Sequence, residues 1–283
     1  MATGTTIAVT GAAGFIGVHV LRELVARGQQ VTGVVRRLPA DPVAGVRYVV
    51  LDLADADQDS YAAIGAPRHL LHLAWGGLPH YLSRHHFEHE LPLHYRFLQA
   101  MVVAGLPAVT VTGTCYEYGL VDGELVETRE PRPANPYAFA KAALLGQLRF
   151  LQAEYGFALT WPRLFYMWGE GQAAGSLYPL LQAAIARGDT TFAMSAGEQL
   201  RDYLPVGDVA ALLAALAMRG GDDGVVNISS GAPVSIRALV ERWIANSGAA
   251  IAPDLGRYPY PTYEPLAFWG SPTKRLMLLP NAI

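Results

Sequence analysis

The chain has 283 residues, 52% of them hydrophobic and 16% charged, which is enough apolar material for a large core in one unit or two closely apposed ones. A net charge of −3, a pI near 6.2 and scattered Lys and Arg exclude the basic footprint of a nucleic-acid or anionic-membrane partner. One cysteine, Cys115, excludes an intramolecular disulfide. The N-terminus lacks a secretory pattern and the longest apolar stretch, Val209 to Met218, is far short of the ~20 residues that span a bilayer, so a cytoplasmic protein is expected.

The chain opens with a β-rich apolar run, Thr5 to Thr10, then Gly11-Ala12-Ala13-Gly14-Phe15-Ile16-Gly17, then a helix to about Arg27 with Val20, Leu21, Leu24 and Val25 at helical spacing. Strand, glycine turn and helix in this order are the setting that a dinucleotide-binding motif requires. Gly11 allows the tight turn, Gly14 lets the backbone approach a pyrophosphate and Gly17 lets the helix pack against the sheet. The helix N-terminus, Phe15 and Ile16 included, attracts the phosphates. The second strand, Gln30 to Val35, ends in Arg36-Arg37, where an NAD site usually carries an acid. Two guanidinium groups suit a 2′-phosphate, so NADP(H) is favoured over NAD(H); the alternative is two solvated arginines.

Tyr48 to Leu51 reads as a third strand, followed by Asp52, an acceptor for an adenine amino group, and Leu53. A fourth, His69 to Ala74, places Ala74 at the strand end where backbone meets cofactor. Such alternation of strands and helices implies an α/β fold with a parallel, doubly wound sheet. Five of the eight histidines fall between residues 80 and 94, and His85-His86-Phe87-Glu88-His89 matches the H-x-x-E-H pattern. No metal is expected there. A helix should cover the sheet in this region, Pro92 interrupts it and no third ligand is indicated, so the histidines read as a polar helix face lining an entrance.

The fifth strand, Ala108 to Thr112, leads into Gly113-Thr114-Cys115-Tyr116-Glu117-Tyr118-Gly119 at its carboxyl end, where ligands bind in open α/β sheets. Asn135-Pro136 then starts a helix in which Tyr137 and Lys141, four residues apart, share a face. A positive charge at ~4 Å and an effective dielectric of ~20 is worth about 4 kcal/mol, which would lower a phenol's pKa by about three units. A pair of this spacing is also ordinary on a solvated helix. With Thr114 beside Tyr137, a hydroxyl can hold a carbonyl or alcohol oxygen while the phenol exchanges a proton and a nicotinamide exchanges hydride. Cys115 reads as a small buried residue rather than a nucleophile.

Thr10 to Gly17, Thr114 and Tyr137-x-x-x-Lys141, in that order, resemble the extended short-chain dehydrogenases/reductases of the NAD(P)-dependent nucleotide-sugar epimerase/dehydratase family. Arg163 to Gly169 is similar to the family strand that enters the substrate site, and Gly197 to Ala210 to its Arg-Asp-Tyr element. The resemblance implies a Rossmann-type sheet over residues 1–164 and a smaller substrate-binding lobe mainly within 165–283, with the chain crossing back to the sheet. It implies that Thr114, Tyr137 and Lys141 are catalytic, the last two also touching the cofactor. It further implies that Thr114, Cys115, Tyr116, Tyr166 and Arg201 meet a nucleotide-sugar substrate, with Arg201 on the diphosphate, and that the protein is a homodimer through helices including Leu93 to Val103 and Ala142 to Glu154.

Departures from the family narrow the activity. Dehydratases follow the Thr with Asp-Glu, and here Cys115-Tyr116 stand there. Tyr166 replaces an Asn common in 4-epimerases, and Pro261 stands near the usual place of a second diphosphate arginine. The tyrosines of Arg257 to Pro265 read as a surface loop or as a wall of the pocket. The pattern is most similar to the nucleotide-sugar 4-ketoreductases, such as CDP-abequose and dTDP-fucose synthases. NADPH-dependent reduction of a nucleotide-linked 4-keto-6-deoxyhexose is therefore expected, with a 4-epimerase that retains its cofactor and a non-catalytic NADP-sensing protein as the alternatives.

Overall fold

The computed structural model describes residues 6–260 and 264–283; Thr5 of the expected first strand, and Pro261, Thr262 and Tyr263, lie outside the described residues. The chain first forms β1 (Thr6–Thr10), α1 (Phe15–Ala26), β2 (Gln30–Val35), β3 (Val46–Val50), α2 (Asp59–Ala63) and β4 (His69–His72). It continues through α3 (Leu91–Val103), β5 (Ala108–Val111), β6 (Gly113–Thr114), β7 (Gly123–Leu125), α4 (Pro136–Tyr155) and β8 (Ala158–Leu164). Next come β9 (Tyr166–Trp168), α5 (Leu177–Arg187), β10 (Thr191–Ala193), β11 (Leu200–Arg201), β12 (Tyr203–Pro205) and α6 (Val206–Arg219). The last elements are β13 (Gly224–Ile228), β14 (Val234–Ser235), α7 (Ile236–Ser247), β15 (Ala252–Asp254), β16 (Phe268–Gly270) and α8 (Thr273–Leu278).

The main sheet has eight strands in the order β13-β8-β5-β4-β1-β2-β3, with β6 set against β8, and its pairings are parallel. This is a Rossmann-type doubly wound α/β sheet, and the strand order reverses between β1 and β4, where a ligand crevice opens. Period-two alternation splits the core. Ile7 and Val9 of β1 pack with Leu21 and Leu24 of α1 and Leu212, Leu213 and Leu216 of α6, while Ala8 faces Phe97 and Leu98 of α3 and Leu144 of α4.

The turn after β1 needs its glycines. Gly11 has φ +67°, and a Cβ there would lie 2.8 Å from the Ala74 nitrogen; a Cβ on Gly17 would collide with the Gly11 carbonyl oxygen. α4 begins as its sequence indicates: the Asn135 side chain accepts from Ala138 N–H at 2.9 Å, and Pro136 sits in the first turn.

Pro92 does not interrupt a helix. It lies in the first turn of α3, after a π-helical turn over His86–Glu90 that absorbs the change of pitch. Nor are the histidines all on a polar face, because His86 and His94 turn inward and are buried.

After β8 the chain leaves the sheet and returns to it. β13 pairs with β8, and the apolar stripe of α6 packs on α1. The residues between and after them form a second cluster around Leu181, Phe192, Leu239 and Trp243. No helix among the described residues is long and apolar enough to cross a membrane.

Candidate active site

The pairing of Thr114 in β6 with Leu164 in β8 sets the threonine at the carboxyl end of the sheet. Its Oγ1 accepts from Tyr116 N–H at 3.3 Å while its own N–H donates to Glu117 Oε1 at 2.8 Å, a capping box that starts the 3-10 turn Cys115–Tyr118. Glu117 is fully buried and also accepts from Trp161 Nε1 at 3.0 Å and Arg163 Nε at 2.8 Å. Gly113 is required beside them, since a Cβ would collide with the Trp161 indole nitrogen.

The Tyr137 ring is buried among Trp75, Tyr81 and His86, with centroids 6.0, 5.5 and 5.2 Å away. Burial, with Tyr81, Glu117 and Cys115 adding to it, pushes its phenol above the ordinary tyrosine range; a hydrogen bond with the Thr114 side chain works the other way. This corrects the expected lowering by Lys141. The Lys141 ammonium lies 6.0 Å from the Tyr137 ring centroid, donates to Thr112 C=O at 2.9 Å and sits 3.9 Å from the centroid of Trp75. Burial pushes Lys141 down to about 7, against the opposing pull of Glu117 and Glu90. Desolvation of both groups outweighs their proximity along the helix.

The glycine loop presents an open helix N-terminus. Gly14 caps α1 without a side chain, so no side chain competes for the first-turn N–H groups around Phe15, Ile16 and Gly17. That arrangement fits a pyrophosphate. Phe15 packs edgewise on His19 and Ile16 against the core, so their side chains hold the turn. Ala74 N–H donates to Thr10 Oγ1 at 3.4 Å and lies against Gly11. Arg36 and Arg37 are exposed beyond β2, with no ion pair among the described residues. Asp52 is exposed too, but one carboxylate oxygen caps the turn at Leu53–Asp55 by accepting from Ala54 N–H at 3.0 Å, while Leu53 packs inward. No group of three or more His, Cys, Asp or Glu among the described residues is arranged to hold a metal ion.

A cavity of about 320 Å³ is walled by Tyr81, Tyr116, Tyr166, Trp168, Tyr203, Trp243 and Glu264. Tyr116 OH donates to Glu264 Oε1 at 2.6 Å and lies 3.2 Å from Tyr166 OH. Cys115 is not on this wall. It packs with Tyr118, Leu125, Phe165 and Phe268, and burial pushes its thiol far above the usual range. Arg201 is buried as well, donating to Glu264 Oε2 at 2.9 Å and to the carbonyls of Leu200, Pro265 and Leu266 at 2.8, 2.7 and 3.1 Å.

Sequence reasoning singled out the segments Arg163 to Gly169, Gly197 to Ala210 and Arg257 to Pro265 but not Trp168, Tyr203 and Glu264 within them, and it missed Trp75, Tyr81 and Trp243. Alternation on β9 puts Trp168 on the same side as Tyr166, so Trp168 carried a local signal, whereas Tyr203 comes opposite Tyr166 only through the pairing of β12 with β9. Trp243, on α7 in a distant part of the chain, carried none.

The family described as NAD dependent epimerase/dehydratase matches residues 7–229. dTDP-6-deoxy-L-talose 4-dehydrogenase (NAD(+)) of Aggregatibacter actinomycetemcomitans is 28% identical, over 94% of this chain and 99% of its own. dTDP-6-deoxy-L-talose 4-dehydrogenase (NAD(P)(+)) of Kitasatospora kifunensis is 32% identical, over 86% of this chain and 79% of its own. Among solved structures, MoeE5 in complex with UDP-glucuronic acid and NAD superposes with a TM-score of 0.82 at 28% identity, covering 97% of this chain and 92% of that one. A glycine loop shaped for a dinucleotide, the Thr114, Tyr137 and Lys141 cluster and a match over most of the chain agree, and the protein belongs to the NAD dependent epimerase/dehydratase family of NAD(P)-dependent enzymes.

Proposed function

We propose that the protein reduces the 4-keto group of a nucleotide-linked 4-keto-6-deoxyhexose. The observation that carries this reading is the pair after Thr114. Cys115 is sealed in an apolar cluster, and the Tyr116 phenol is bonded to Glu264, so neither offers the acid and base that removal of water from neighbouring carbons requires. Tyr137 then remains as the proton donor at the site, and reduction of a carbonyl needs one proton and one hydride. The names of the two 4-dehydrogenases support the reading, because oxidation of a 6-deoxyhexose at that position is the reverse of the reaction proposed.

In this proposal a nicotinamide dinucleotide, when bound, supplies the hydride. The N–H groups at the start of α1 and the close turn at Gly11, Gly14 and Gly17 hold its pyrophosphate, with Asp52, Leu53 and Ala74 along the adenosine and nicotinamide sides. Arg36 and Arg37 favour the 2′-phosphate of NADPH. Thr114 orients the carbonyl oxygen and Tyr137 gives it a proton; a phenol raised by burial stays protonated until that oxygen gains charge. Lys141 places positive charge near Tyr137 and is the residue proposed to hold the nicotinamide ribose. Tyr116 and Tyr166 line the sugar pocket. Arg201 meets a substrate diphosphate only where a phosphate oxygen replaces the Glu264 carboxylate.

The test is to follow NADPH or NADH absorbance with a nucleotide-linked 4-keto-6-deoxyhexose. Stoichiometric consumption is expected, with Tyr137→Phe slowing it by about 100-fold or more. Interconversion of 4-epimers without net consumption would overturn reduction in favour of epimerisation.

A further inference from the structure

Behind Lys141, a line of buried polar side chains crosses the sheet that the proposed reduction does not use. Thr10 Oγ1 lies 2.8 Å from His72 Nδ1, His72 Nε2 lies 2.8 Å from His94 Nδ1, and His94 Nε2 lies 3.0 Å from Glu90 Oε2. Glu90 Oε2 also accepts from Gly76 N–H at 2.7 Å, and its other oxygen meets the half-exposed His85 Nε2 at 2.9 Å. Thr10 and His72 are fully buried, His94 is 2% exposed and Glu90 7%.

The direction of the hydrogen bonds follows from the end group. A carboxylate only accepts, so His94 Nε2 carries a hydrogen. A neutral His94 then accepts at Nδ1, His72 carries its hydrogen on Nε2, and the Thr10 hydroxyl donates to His72 Nδ1. Both rings are neutral. Burial, with His94 and Lys141 adding to it, holds His72 well below the usual imidazole range, and burial also lowers His94 against the raising effect of Glu90. Every donor in the line points toward Glu90, and no buried cation touches it. For the carboxyl itself burial works upward, but the hydrogen bonds from His94, Gly76 and His85 and the electrostatic influence of His94 outweigh it and hold the carboxyl below the usual carboxylate range.

Lys141 has the complementary deficit. Its ammonium touches a carbonyl and the Trp75 ring but no carboxylate. Trp75 in turn stacks on His94 with centroids 4.6 Å apart and planes 10° from parallel, and its indole N–H donates to His86 Nδ1 at 3.1 Å. Glu117, the other buried carboxylate in the neighbourhood, opposes the desolvation of Lys141 more than Glu90 does, but it is paired with Arg163 at 2.8 Å, so its charge is already compensated. The remaining titratable groups around Lys141 are His72, His86, His94 and Tyr137, and burial favours the neutral form of each.

From this geometry we infer that Glu90 is the uncompensated counter-charge of Lys141, adding to Glu117 and acting across the stacked His94 and Trp75 rings as a positioning residue that keeps the buried ammonium charged and seated beside Tyr137. The inference rests on reading Lys141 as part of the site, and its test needs no substrate. A group that titrates near neutrality is sensitive to one distant charge, because water does not screen it.

Lys141 and Lys274 are the two lysines of the sequence, so labelling lysine Cε with carbon-13 yields two signals, assigned with Lys274→Arg. Titration of the whole protein reads the Lys141 midpoint directly. Glu90→Gln is expected to lower it by about one pH unit, the order of effect of removing one unscreened charge from the surroundings of a buried ammonium. Glu90→Asp disturbs the packing but keeps the charge, and should leave the midpoint in place. Equal shifts in both variants, or none in Glu90→Gln, would overturn the inference. If Glu90→Gln alone does not fold, Glu90→Gln with Lys141→Met removes both charges and should restore folding; a double variant no more stable than the single one would likewise overturn it. Failure of either arm leaves the reductase reading untouched, because neither measures turnover.

Discussion

Arg36 and Arg37 lie exposed at the end of β2 and, among the described residues, have no carboxylate partner, so their charge is available to a ligand. In the proposed reading a 2′-phosphate would gain charge-assisted hydrogen bonds there, whereas a free ribose hydroxyl would gain little. Arg36→Asp or Arg37→Asp should therefore weaken NADPH about tenfold or more, a loss of about 1.4 kcal/mol, and leave NADH nearly unchanged in direct titrations of binding. Equal affinity of the unmodified protein for the two dinucleotides would refute the preference. At Tyr137 the same scale teaches a different lesson. Its cationic neighbour on the helix does not govern its titration, because the ammonium turns to Thr112 and Trp75 and burial dominates.

Between elements, Arg201 is the residue that joins most. From β11 it reaches Glu264 and the backbone of Pro265 and Leu266, so one guanidinium fastens the segment that leads to β16. Removing one partner of a buried ion pair leaves the other charge uncompensated, at a cost of about 3 to 5 kcal/mol. Arg201→Ala should thus lower the melting temperature by about 10 °C in calorimetry, with Arg201→Lys recovering part of it. The KM of the folded fraction separates a second role from this one. A rise with little change in kcat is expected if the same side chain also meets the substrate diphosphate; an unchanged KM would make Arg201 purely structural.

For the whole molecule, the outer face of α4 carries Phe139, 51% exposed, and Phe150, 83% exposed, with Phe87 6.1 Å from the Phe139 ring. Large aromatic rings facing water on one long helix would suit a second copy of the chain, and a homodimer through α3 and α4 is proposed on that ground. Sedimentation at micromolar concentration should show dimer, and Phe150→Asp should shift it to monomer. A monomer in the unmodified protein would rule the interface out. The match to the family over residues 7–229 does not bear on this surface, since assembly depends on side chains that the fold leaves free to vary.

What could be read from the sequence were the features set within a few residues. The Gly11 to Gly17 turn, the Asn135-Pro136 start of α4, the spacing of Tyr137 and Lys141 and the strands of the parallel sheet all follow from local sterics and periodicity, and the structure has them. Tertiary structure alone decided the rest. It brought Glu264 to Arg201 from 63 residues away, turned His72 and His94 into a line ending at Glu90 and laid Trp75 against Lys141. It also reversed the expected sign of the Tyr137 shift. The physical reason is the same in each case: local pattern says which atoms are neighbours along a helix or strand, but which groups lose water, and which partner they meet when they do, is set by packing between distant parts of the chain.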